Sequence, residues 1–245
     1  MPAPVRPLRR RRDPLEPPAV VQIEVVVARF NEPLDWVRNV PSSARVTVYD
    51  KGGDLSPDLL PWARVERLPN VGREAHAFLH HLLAHRDDLA DVTFFCQGHP
   101  FDHAWDLHAT LRAVAAGRER VDGFRWLGHI VDTDDARGRR LFVDWSKNDD
   151  GRELRTDRFH EALFGAPAPD LLRFYPGGQF AVTADLARTR PPAFYERALE
   201  LAATFPDGAH CFERLWASVF GVAGVDPAQV DGDTRWLKPI KKLRG

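Results

Sequence analysis

Apolar positions in this chain fall into short, almost unbroken runs, separated by stretches in which they recur every three or four residues. Val20 to Ala28 reads VVQIEVVVA, strongly β-branched, and predicts a first strand. Ala44 to Tyr49, Ala63 to Leu68 and Val92 to Cys96 predict three more. The last of these, VTFFC, is the pattern of a strand buried on both faces, as in a parallel sheet covered by helices. Ahead of it, Ala75, Phe78, Leu79, Leu82 and Leu83 recur at helical spacing from Arg73 onward, which predicts an amphipathic helix. Strands alternating with helices predict an α/β protein built on a single, mostly parallel sheet flanked by helices.

Later elements are shorter. Asp102 to Ala115 predicts a helix, and two short strands between Gly123 and Trp145 flank a polar hairpin loop, Asp132 to Gly138. Trp145 to Ala168 predicts a surface insertion with a short helix. Phe174 to Thr183 turns into a strand, and Pro192 to Ala203 and His210 to Phe220 predict two helices. The stretch 19–225 is read as one domain. Residues 1–18, rich in Pro and Arg, are expected to be a disordered basic tail, and 226–245 a loose tail pinned by Trp236.

Each of the four predicted strands ends in polar residues. The first delivers Arg29, Asn31 and Glu32, the second Asp50 and Lys51, the third Asn70, Arg73 and Glu74, and the fourth Gln97 and His99, with His103 close behind. Open α/β sheets bind ligands beyond the carboxyl ends of their strands. Four such ends in succession predict one cleft along one sheet edge.

Composition narrows the classes. A formal net charge of -1 gives no reason to expect a nucleic-acid partner. No apolar run is long enough to span a bilayer and the first residues carry no signal-peptide pattern, so a cytoplasmic protein is expected. The two cysteines make no disulfide framework; Cys96 reads as a small core residue.

Five groupings carry candidate chemistry. Asn70 to Glu74 opens a helix, where free N–H groups and Arg73 suit an anion; the competing reading is that Asn70 caps the helix and Arg73 is solvated. His76, His80, His81 and His85 are spaced for helical pairs, yet no third ligand is evident, and a solvated face is favoured. His99, Asp102 and His103 suit a metal or acid/base work; a polar loop with Asp102 as a cap competes equally. Asp132-Thr133-Asp134 has the Asp-x-Asp form, but a solvated turn is favoured. Glu213 lies beside the apolar stripe Phe212, Leu215, Trp216 and Val219, where it is either a general base or a salt-bridge partner of Arg214 or Arg197.

Val26 to Glu32 with Trp36, Tyr49 to Gly52, Leu68 to Glu74, Phe94 to Gly98 with His103, Gly178 to Val182, Phe194-Tyr195 and Glu213 to Trp216 together resemble the DUF3431 proteins. There is a wider likeness to GT-A-type glycosyltransferase-like domains, and the resemblance spans roughly Val20 to Gly221. It implies a Rossmann-related sheet with a sugar nucleotide at its strand ends, an acceptor of unknown kind and a carboxylate base in the late helix, which places Glu213 in catalysis; His99, on its own acid/base chemistry, is the second catalytic candidate. A divalent metal, Mn²⁺ or Mg²⁺, often accompanies such a site, but Gln97-Gly98-His99 stands where its Asp-x-Asp is expected. The expected function is transfer of a sugar from a nucleotide donor. The alternatives are a binding module without chemistry and a histidine-based metal hydrolase.

Overall fold

A computed structural model describes residues 21–145 and 150–225. In order it comprises β1 (Ile23–Arg29), β2 (Arg45–Asp50), β3 (Arg64–Arg67), α1 (Arg73–Ala84), β4 (Val92–Gln97) and α2 (Leu107–Ala115). There follow β5 (Phe124–Trp126), β6 (Asp132–Asp135), α3 (Phe142–Trp145), α4 (Thr156–Phe164), β7 (Leu171–Phe174) and β8 (Phe180–Thr183). The described part ends with α5 (Ala184–Arg188), α6 (Pro192–Thr204) and α7 (Gly208–Val219). The expected tails lie outside the described residues.

Six strands form one sheet in the order β3-β2-β1-β4-β8-β5. The first four are parallel, β8 runs antiparallel to β4, and β5 pairs antiparallel with β8. The sheet is therefore mixed, where a mostly parallel one was expected. The departure sits in β5 and β8, whose three and four residues are too short to reveal direction from sequence.

Both faces of the sheet are covered. Val26, Ala28, Phe95 and Phe180 pack with Phe78 and Leu82 of α1, Tyr195 and Leu201 of α6, and Phe212, Leu215 and Trp216 of α7. Val25, Val27, Phe94 and Cys96 face the other way, against Trp36, Val37, Leu107 and Leu111. This is why β1 and β4 read as continuous apolar runs: each alternate residue has a core of its own. Each fully buried Val, Leu or Phe contributes about 1.5–3 kcal/mol.

Two expectations are corrected here. Asp132–Asp135 is itself a strand, paired with β7 in a second two-stranded sheet, and not a solvated hairpin tip. The α1 histidines do not form a solvated face: His81 is fully buried and contacts Tyr49 Oη through Nδ1 at 3.1 Å, and His76, His80 and His85 are half-buried. Burial, with His85 and Arg45 adding to it, lowers the His81 pKa to about 2, so this imidazole is neutral.

Candidate functional site

The carboxyl ends of β1 and β2 are locked by a charge clamp. Arg29 NH1 donates to Asp50 Oδ1 at 2.8 Å and Asp54 Oδ1 at 2.6 Å, and Nε donates to the Glu32 carbonyl. Asp50 is fully buried and also accepts from the Leu55 N–H. Glu32 turns back on its own loop, accepting from the Phe30 N–H at 2.8 Å. A Cβ at Gly98 would stand 2.6 Å from Glu32 Oε2, so the glycine brings the β4 loop close against that carboxylate.

The β2 end and the start of α1 are tied by Lys51, whose Nζ donates to the carbonyls of Val71 and Arg73. Burial lowers its pKa to about 8, with Glu74 pulling the other way. Gly72 adopts a left-handed φ of 59°, and a Cβ there would lie 2.4 Å from the Ala202 carbonyl oxygen. This glycine lets the helix start close against α6. Asn70 does not cap the helix; Gly72 holds that position.

The loop after β4 is held from below. Trp36 Nε1 donates to the Gly98 carbonyl at 2.8 Å, and Gln179 Nε2 donates to the Pro100 carbonyl at 3.0 Å. Gln179 is buried on β8's approach, and no local pattern marked it as a support.

Together these strand ends wall one cleft of about 420 Å³. Arg29, Phe30 and Glu32 line it from β1, Lys51 from β2, Asn70, Arg73 and Glu74 from the α1 start, and Gln97, His99 and Asp102 from β4. Burial is the largest influence on Glu74 and raises its pKa; Glu213 raises it further, while Arg73 and His210 lower it. Asn31 is exposed outside the cleft wall, and Asp50 lies beneath it. His103 packs against Gly177, where an added Cβ would meet its ring at 2.5 Å, and does not line the cleft.

A second polar cluster adjoins the first through Arg73, whose NH1 lies 3.2 Å from His210 Nε2. Behind His210, Arg214 is buried and donates to Asp134 Oδ2 from Nε and NH2 at 2.9 and 2.8 Å. Asp134 also accepts the Leu141 and Phe142 N–H groups. Asp132, beside them, has its pKa raised to about 6, first by burial and then by Glu213. Glu213 accepts the Gly177 N–H at 2.6 Å and pairs with Arg214 at 3.3 Å. Burial alone would raise its pKa, but His210, Arg214 and the Gly177 N–H outweigh that and lower it to about 2. Glu213 is absent from the cleft wall, and a carboxylate that acidic is a weak base near neutral pH.

The residues do not fit a divalent metal. Asp134 is spent on Arg214, the β4 end carries Gln97 and His99, and among the described residues no group of three His, Cys, Asp or Glu is placed to hold one. A separate groove of about 370 Å³ opens by the amino ends of β1 and β2, between Ser42, Arg45, Trp62, Arg64 and His85.

Fold and site together define an α/β protein with a polar cleft at the carboxyl ends of four parallel strands. Residues 25–231 match the family model described as "Protein of unknown function (DUF3431)", and the chain belongs to that family. No curated protein matches the chain. Among the described residues no helix is long and apolar enough to cross a membrane.

Proposed function

We propose that the strand-end cleft binds a nucleotide-diphosphate sugar and that the protein transfers the sugar to an acceptor. The observation that supports this most is the convergence of four successive strand ends on one cleft carrying Lys51, Arg73, Gln97 and His99. Lys51 and Arg73 supply cationic donors for phosphate oxygens, and Gln97 and His99 supply hydrogen-bonding groups on the β4 side. Arg29 lines the same wall, but its charge is committed to Asp50 and Asp54. The likeness to GT-A-type domains supplies the reaction class. Glu74 takes the role of base: it lines the cleft, and its raised pKa brings it closer to working pH than Glu213. Its carboxylate accepts the acceptor hydroxyl proton as that oxygen attacks the sugar's anomeric carbon, and the nucleotide diphosphate leaves with the bonding pair.

A thermal-shift screen with UDP-glucose, GDP-mannose and UDP, each with and without Mn²⁺, tests the reading. A ligand at 100 times its Kd stabilises the folded state by about 2.7 kcal/mol, so a rise of roughly 5 °C or more is expected. The rise should shrink in Arg73→Ala. No shift with any nucleotide, or a shift indifferent to Arg73, contradicts the reading. A binding module without chemistry is the second reading, supported by the commitment of Glu213 to Gly177 and Arg214; it predicts binding with no release of nucleotide from the donor.

A further inference from the structure

We propose that His210 is a positioning residue for Arg73, holding the guanidinium in the cleft wall as an anion contact. This rests on the cleft reading above and names the part of it that comes from α7.

Arg73 is not at rest. Its φ of 47° is left-handed, a conformation that a non-glycine residue keeps only where its surroundings impose it, and such residues gather at ligand sites. The side chain is 59% exposed, yet its NH1 reaches across from α1 to the first turn of α7, 137 residues later. A guanidinium offers only donors, so the 3.2 Å contact is an N–H donated to His210 Nε2. His210 Nε2 is therefore the unprotonated ring nitrogen. The proton sits on Nδ1, which faces Glu213 Oε2 at 3.9 Å.

The imidazole is itself fixed. The ring meets Phe142 edge-on at 5.2 Å, and the backbone carbonyl of His210 accepts from Arg214 NH1 at 2.9 Å, which holds the turn that carries the ring. Arg214 in turn is anchored by Asp134. A rigid acceptor thus takes one N–H of an exposed arginine whose Nε faces Glu74 Oε2 at 3.7 Å, and leaves NH2 for ligand oxygens. Ordering that side chain before the ligand arrives removes part of the cost of binding.

The test is isothermal titration of the full chain with UDP and with inorganic pyrophosphate, on the wild type, Arg73→Ala, His210→Phe, His210→Gln and the Arg73→Ala/His210→Phe double variant. His210→Phe keeps the ring and removes the acceptor, and should weaken binding by roughly 3- to 10-fold. His210→Gln places an amide oxygen at similar reach and should restore most of that loss. In the Arg73→Ala background His210→Phe should cost nothing further. Should His210→Phe fail to fold, His210→Ala carries the same expectations. Wild-type affinity in the folded His210 variant, or full additivity in the double variant, overturns the inference while leaving the cleft reading in place if Arg73→Ala weakens binding. A wild type that binds neither probe overturns both.

Discussion

Two arginines flank the first turn of α7 and do opposite work. Arg214 is buried, held by Asp134 on one side and by Glu213 and the His210 carbonyl on another, with the Phe174 ring 4.7 Å from its guanidinium carbon. Arg73 is largely exposed, with one N–H on His210 and Glu74 at ion-pair distance. Residue type does not separate them; saturation does. The buried Asp134–Arg214 pair ties β6 of the small sheet to α7, and removing one partner leaves an uncompensated charge. An arginine at the start of α1 with donors to spare is poised for a ligand.

The largest expected effect falls on the open side. Glu74→Gln should lower nucleotide release from a sugar donor by roughly two to four orders of magnitude while donor affinity changes little. Equal turnover in the variant would remove Glu74 from the chemistry and weaken the contrast at its functional end. On the saturated side, Asp134→Ala should destabilise the fold by roughly 3–5 kcal/mol in chemical denaturation, because Arg214 is left buried without the carboxylate that takes its Nε and NH2 donors. A loss below about 1 kcal/mol would mean that the pair is not structural.

Glu213 sits between the two regimes. Glu213→Gln keeps an acceptor for the Gly177 N–H but loses the charge facing Arg214, and should cost about 1–2 kcal/mol. Its carboxylate pKa falls from 4.5 to about 2 on folding, so its stabilisation is complete above pH 4.5 and is lost as pH drops toward 2. The variant's stability should be flatter than the wild type's over that window. A fall in turnover of a hundredfold or more with unchanged stability would return Glu213 to the mechanism.

The smallest effect is on pH dependence at Lys51. With its pKa lowered to about 8, the amine loses its charge as pH rises from 7 to 9, and pyrophosphate affinity should fall by roughly 2- to 5-fold. Over the same rise the free protein gains stability, since the unfolded chain keeps a proton that the folded chain has released. Lys51→Met should abolish that pH dependence of binding; if it persists, another group is responsible.

Local pattern found β1 to β4 within three residues at each end, because strands buried on both faces leave a continuous apolar signature. The strand ends followed from the same pattern, which is why most of the cleft wall was legible. The antiparallel insertion of β8 was not, since direction depends on how the chain returns from β7. Asp134 was read as solvated because an aspartate in a polar run looks exposed. Its partner Arg214 lies 80 residues away, beyond any local window. His81 on α1 was misread likewise: what satisfies its Nδ1 is Tyr49, on β2. The α2 start slipped from Asp102 to Leu107, where Pro100–Asp102 forms a separate 3₁₀ turn. Glu213 is placed in the site by its helix face and by the resemblance, and neither tells that the Gly177 N–H and Arg214 claim the carboxylate.

The central claim is that the ligand sits at the carboxyl ends of the parallel strands. Hydrogen–deuterium exchange on the full chain, with and without a saturating nucleotide from the thermal screen, tests it most directly. Protection should appear in residues 29–32, 51–54, 70–76 and 97–103, the loops that wall the cleft. Protection confined instead to residues 42–47, 62–64 and 85–88, around the groove by the amino ends of β1 and β2, would contradict the account.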